Sequence, residues 1–417
     1  MKLSISKNVP YQLLYLLCIG LPYLNNYELT FAVWAFTLVV TLNKTYSIQI
    51  LKIVACFVAI LGIAFISGLF RSYPLYQVIR DITYLLKPII GILIGYQLCK
   101  FNSKTAFRTI VYTGVIIALM HLIILTITAT RFQSLSVNLL RQYGGYFSDY
   151  EIYVLIILIF HTHFKLEFSK KKLHFLILIL GVSSFLYLAR TNIIQFAILF
   201  VGMKGYYKIN RQSILVVSSV AIAVLAGYAA VLSYNPKRNG KGLEAFLYKI
   251  KIAPIEPFKT KIDRDDWKDF NDNYRSFENI ITVKQVTHEG VVPTVFGKGL
   301  GATINLGRRV RSNDGTFVQQ IAIVHNGYMT VFMKSGLIGV VFVFLSIYYI
   351  AKTRKPENEL LETCNRLLVG TGFFLIISYF VFLGFYFKFD TKAVLIGFII
   401  AIMERERKLL NAISPQN

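Results

Sequence analysis

Long apolar segments follow one another from end to end of this 417-residue chain, separated mostly by short basic loops. That succession limits the fold more than any motif does. With 55% hydrophobic and 15% aromatic residues, the chain holds far more apolar surface than one water-soluble core can hide. In hydrocarbon a backbone must satisfy its own hydrogen bonds, so helices are expected. The two-residue alternation of a membrane β-barrel is absent. The fold class expected is an all-α polytopic membrane protein with about 12 transmembrane helices and one large, partly helical loop.

The segments that read as spans are roughly 10–25, 28–42, 50–70, 81–99, 107–130, 150–164, 173–189, 191–204, 213–233, 326–351, 363–387 and 391–404. They divide the chain into helices 1–9 over 1–233, a loop domain over 234–325, helices 10–12 over 326–404 and a tail over 405–417. The start (Met1-Lys2, Lys7, then an apolar run) resembles a signal peptide but lacks a small-x-small cleavage site, so it reads as a retained first span.

The net charge of +24 suggests nucleic acid, but most of the Lys and Arg lie in short loops between spans. Orientation rules account for them, and no zinc-like or RNA-binding pattern accompanies them. One set of ends and loops is rich in Lys, with Lys44, Lys52, Lys100, Lys104, Lys165, Lys170, Lys171, Lys172, Lys204 and Lys208 among them. That side is expected to be cytoplasmic with both termini, leaving the long loop outside. The opposite short loops hold few basic residues, and most are Arg: Arg71, Arg80, Arg131, Arg141 and Arg190, beside Lys388 and Lys392. Orientation needs only charge. Arg adds a planar fork that binds phosphate oxygens two at a time. Snorkelling to lipid headgroups is the competing reading for any one of them.

Cys18, Cys56, Cys99 and Cys364 are scattered and imply no disulfide framework or metal site. In the long loop, Asp263-Arg264-Asp265-Asp266 reads as a helix cap. Trp267, Phe270, Tyr274, Phe277 and Ile281 then fall on one helical stripe flanked by Arg275, so the loop reads as a small helical cap. Gly297-Lys298-Gly299-Leu300-Gly301 lacks the phosphate-loop pattern and reads as a turn needing positive φ. Lys87 and Pro88 interrupt the fourth span. Arg80, Tyr84 and Lys87 share a face there that either lines a path for an anionic lipid head or turns into the bundle.

His325 closes the loop just before Asn326, a good cap for the next helix. A His at a helix N-terminus is disfavoured in its protonated form, so it can serve as a general base. The residues alone favour a capping or packing role over that one. His161, His163 and His174 read as cytoplasmic, His121 as within a span and His288 as a loop residue. The outer acids Asp149, Glu151, Glu256, Glu278 and Asp314 form no evident metal cluster.

Together these features resemble the O-antigen polymerase and O-antigen ligase superfamily of membrane glycosyltransferases. The layout covers most of the chain. Three local matches carry it: Leu188-Ala189-Arg190-Thr191, then Tyr274-Arg275-Ser276 with the Gly297–Gly301 stretch, then His325-Asn326-Gly327-Tyr328 with Gly336-Leu337-Ile338-Gly339. Phe277 departs from the pattern, since many members carry Trp nearby. The resemblance implies a bacterial inner-membrane enzyme that needs no metal or nucleotide cofactor. Its donor would be an undecaprenyl-pyrophosphate-linked oligosaccharide, its surroundings membrane lipid, and its partner a chain-length regulator protein rather than nucleic acid. It implies that His325 deprotonates the acceptor hydroxyl and that Arg190 and Arg275 hold the pyrophosphate. Arg71, Arg80, Arg131, Arg141 and Lys87 are further contacts, and Trp267, Tyr274 and Tyr328 are candidates to stack on sugar. A polymerase, extending another lipid-linked glycan, is the first expectation. A ligase acting on lipid A-core is the alternative. A flippase is the non-enzymatic rival, and it would depend on Lys87 rather than His325.

Overall fold

The computed structural model describes residues 8–24, 26–133, 137–145, 148–208, 210–240, 243–256, 258–263, 265–311, 316–387 and 390–413. Lys2, Lys7, Arg264, Asp314 and Lys388 lie outside the described residues. The structure is mostly helical. In chain order the helices before the long loop are α1 (Val9–Gly20), α2 (Tyr27–Val40), α3 (Ile48–Leu69), α4 (Leu75–Leu98), α5 (Ser103–Phe132), α6 (Val137–Gly144), α7 (Asp149–Ile159), α8 (Lys170–Leu186), α9 (Arg190–Met203) and α10 (Arg211–Tyr234). The loop contains α11 (Leu243–Ile252), α12 (Trp267–Asp272), α13 (Tyr274–His288), α14 (Val291–Phe296) and two strands, β1 (Ile304–Arg311) and β2 (Phe317–Ile321). Then come α15 (Gly327–Ala351), α16 (Glu359–Val381) and α17 (Lys392–Ile413).

Each apolar segment read from the sequence falls largely on a helix. Five helices, α3, α5, α10, α15 and α16, are long and apolar enough to cross a membrane. Short α7 is buried almost throughout, as a helix enclosed by others should be. Pro88 does not interrupt α4, which runs unbroken from Leu75 to Leu98. Neighbouring helices and local adjustment can accommodate the bond a proline removes. The main helix pairs are α4 with α17 and α3 with α15. Small residues let the first pair close: a methyl group on Gly95 would stand 1.9 Å from Val394 O.

The loop is sewn to this bundle through a break in α15. Gly336 has φ +65°, a left-handed value that interrupts the helix. The Gly-rich stretch fills the gap. The Lys298 N–H donates to Met333 O at 2.7 Å, the Gly299 N–H to Lys334 O at 3.0 Å and the Leu300 N–H to Ala64 O on α3 at 2.8 Å. Those amides are therefore spent on backbone. Beneath them buried Asp81 of α4 accepts from the Lys334 ammonium and from the Gly301 N–H.

A second apolar cluster seats the loop, joining Phe270, Phe277, Ile281, Val286, Ile304 and Leu306 to Phe332 and Met333 of α15. The expected single stripe is corrected in part. Asn273 separates α12 from α13, with its amide turned back to Asp269 O, and Trp267 is 59% exposed. Asp266 caps α12 by accepting from the Lys268 N–H. The loop is not purely helical either. β1 and β2 form an antiparallel hairpin with Ile304 opposite Ile321. Ile304 and Leu306 point into the cluster while Asn305 and Gly307 face out, the two-residue period of a strand.

Candidate functional site

Asn326 begins α15 as expected, its side chain accepting from the Met329 N–H at 3.2 Å. His325 stands just outside that cap. Its backbone N–H donates to Glu278 Oε2 at 2.9 Å, and its Nδ1 lies 2.8 Å from the same oxygen. Glu278 belongs to α13 and is only 2% exposed, whereas the His325 ring is 52% exposed. Against an ionised carboxylate, which can only accept, a neutral ring would carry its proton on Nδ1 and keep the Nε2 lone pair for another partner. Tyr274 meets the ring edge-on at 5.9 Å. Burial and then the neighbouring Glu278 carboxylate push the Tyr274 pKa up, so it stays a neutral phenol. The sequence reading considered Glu278 only as a metal ligand and passed over it as a partner for His325.

The second half of the site is cationic. Leu188 takes a left-handed φ of 48°, an uncommon conformation for Leu. It tightens the turn after α8 so that Arg190 opens α9, and Asn192 straps the turn by donating to Ser184 O at 3.1 Å. Arg275, next to Tyr274 on α13, approaches from the loop. Glu256 lies between the two Arg, with Oε1 at 3.8 Å from Arg275 Nε and Oε2 at 4.0 Å from Arg190 Nη2. Arg190 also donates to the Lys249 carbonyl on α11. Burial, then the nearby charges of Arg141 and Arg190, push the Lys249 pKa down. The Arg275 guanidinium lies 5.4 Å over the Phe382 ring, and Phe382 O accepts the Gly327 N–H at 3.1 Å. Arg275 is thus tied to the end of α15 that follows His325. Arg190, Arg275 and Lys249 lie near the Glu256 carboxylate, and Arg141 lies near Arg190 and Lys249.

The other predicted residues are placed elsewhere. Arg71 pairs with Glu289 at 2.6 Å, and Lys298 holds the same carboxylate at 2.5 Å. Glu289 follows the C-terminus of α13, about 16 Å along the helix from Glu278 at 1.5 Å per residue. Arg80 lies 3.4 Å from Asp81 at the sewn seam. Lys87 is buried in α4, 5.9 Å from the Tyr84 ring centre, which favours the bundle-facing reading. Arg131 is exposed at the end of α5 above Phe132. Tyr328 is a packing residue rather than a sugar platform. It is buried, stacks on Phe344 at 5.0 Å and donates its hydroxyl to Ile376 O at 3.2 Å. Its place in the first turn of α15 turns it toward α16. Among the described residues no group of three or more His, Cys, Asp or Glu could hold a metal ion.

No family model, curated protein or solved structure matches the chain.

Proposed function

We propose that this chain is a membrane glycosyltransferase that polymerises a lipid-linked glycan at the periplasmic face of a bacterial inner membrane. In this reading the apolar segments form twelve spans with both termini inside, and the long loop lies outside. One observation carries the proposal. A single loop helix, α13, contributes Glu278 to His325 and Arg275 to the cationic group around Arg190. One rigid element that both orients a base and supplies part of an anion site suits transfer from a pyrophosphate donor.

The acceptor hydroxyl gives its proton to Nε2 of His325 as its oxygen bonds the anomeric carbon. The bond from that carbon to the pyrophosphate oxygen breaks, and the electron pair leaves with the lipid pyrophosphate. Glu278 holds the ring in the accepting tautomer and stabilises the imidazolium that forms. Arg190 and Arg275 offset the charge gathering on the leaving group. Burial of Lys87 against Tyr84 gives no support to a transport path.

The deciding experiment is a gel profile of surface glycan from a strain lacking the protein. Core carrying one repeat unit, with the ladder gone, is the expected result. Bare core with lipid-linked polymer accumulating would replace polymerase by ligase. An unchanged ladder would overturn the glycosyltransferase reading.

A further inference from the structure

Glu256 stands off from its two Arg neighbours. Elsewhere in the loop, ion pairs are close: Asp272 meets Arg238 at 2.8 and 3.0 Å through both oxygens, and Glu289 meets Arg71 at 2.6 Å. A charge-assisted N–H···O bond falls at about 2.7–2.9 Å. At 3.8 and 4.0 Å the Glu256 oxygens stand outside that range, one toward each guanidinium. Its single charge also leaves the cations in excess. Glu256 follows α11, which packs on α10 and is tied to it by the Tyr228 hydroxyl donating to Lys251 O at 2.9 Å. The apolar stretch of α10 is not buried by the rest of the protein. Glu256 and Lys249 are therefore carried by an outboard arm, not by the core.

We infer that Glu256 is a built-in surrogate anion that occupies the cationic cradle when it is empty and yields to a diphosphate headgroup, while Lys249 on the same arm is a further cation for that headgroup. This rests on the glycosyl-transfer reading above for the identity of the diphosphate. The geometry supplies the logic. Each oxygen of Glu256 faces a different Arg, as the oxygens of a bridging phosphate would. The guanidinium forks keep N–H donors that Glu256 does not reach. When the glycan departs, the lipid pyrophosphate gains negative charge and binds the cradle more tightly. A competing carboxylate then aids release. A conformation that must be vacated before binding weakens the apparent affinity by the fraction of molecules in which the cradle is free.

The test is calorimetric titration of the purified full chain in lipid nanodiscs with inorganic pyrophosphate and, separately, with geranyl pyrophosphate. Glu256→Gln is expected to tighten both by about tenfold, the scale of one charge a few ångströms away at intermediate dielectric. Lys249→Met is expected to weaken both by about tenfold on the same ground. Turnover of Glu256→Gln should fall while its affinity rises, because product release slows. Glu256→Asp, which keeps the charge, should stay near wild type and guards against a loop that has merely come loose. If Glu256→Gln binds pyrophosphate no more tightly while Arg190→Gln binds it weakly, Glu256 is only an anchor and the inference falls. If Arg190→Gln and Arg275→Gln both bind like wild type, the cradle itself is wrong and the inference falls with it. Loss of the glycan ladder reports on the glycosyl-transfer reading independently of these affinities.

Discussion

The seam around Asp81 and the cradle around Glu256 are built from the same residue types and do opposite things. At the seam every charge named is consumed by the fold. Asp81 takes the Lys334 ammonium and the Gly301 amide, and Glu289 takes both Arg71 and Lys298. At the cradle two Arg share one carboxylate that stands beyond hydrogen-bond distance. The difference separates an Arg in close contact with its carboxylate from an Arg whose carboxylate neighbour stands off. Arg residues that look alike in the chain divide this way only when their partners are known.

The sharpest way to break this comparison is at the cradle end. His325→Ala should cut glycosyl transfer by about 10²- to 10⁴-fold, the usual contribution of a positioned general base. The melting temperature should fall only modestly, since the ring is half exposed and Glu278 keeps the His325 backbone N–H. Full activity in a transfer assay would remove the base assignment. At the seam the loss should instead be one of stability. Lys334→Met leaves the Asp81 carboxylate buried without its ammonium, and removing one member of a buried pair costs about 3–5 kcal/mol. Thermal unfolding in detergent should show it, and adding Asp81→Asn should restore much of the loss. If the single variant melts like wild type, the seam is not what secures the loop.

Glu278→Gln should slow transfer without abolishing it, because the ring remains and only its orientation and tautomer are lost. Its pH–rate profile should shift with little change in acceptor KM, whereas a purely structural role would lower the amount of folded protein at every pH. The smallest effect is expected at Glu289. Burial opposes its ionisation, but Lys298 and Arg71 outweigh burial and lower its pKa from the ordinary 4.5. A depressed carboxyl pKa adds stability above the unfolded value, and that stability is lost as pH falls through the folded one. The melting temperature should therefore drop on acidification below about pH 4.5, and Arg71→Ala should flatten that slope. An identical slope in the variant would show that Arg71 does not hold Glu289. At neutral pH Arg71→Ala should cost no more than about 1 kcal/mol, because the pair is partly solvated.

Much of the fold was legible from the chain. Apolar runs of about 20 residues have few ways to satisfy their backbone in hydrocarbon, so α3, α5, α10, α15 and α16 could be placed from composition and length. Asn326 and Asp266 were legible as caps because a cap is local chemistry. The positive φ values of the Gly297–Gly301 stretch were legible for the same reason. The hairpin was missed although Ile304 and Leu306 alternate with Asn305 and Gly307, because so short a polar strand gives a weak period. Glu278 was passed over because its partner lies 47 residues away, and Lys249 because an amphipathic Lys in a basic loop carries no distinguishing mark.

The sequence by itself determined the helical membrane class, the helix starts and the residue types available for chemistry. These depend on solvent transfer and on contacts within a few residues. The tertiary structure alone decided which Arg meets a close carboxylate, which carboxylate His325 Nδ1 meets and that Tyr328 is packed away in the core. Each of those outcomes depends on distances between groups far apart in the chain. Charge interactions change steeply with separation and burial, so nothing local could have settled them.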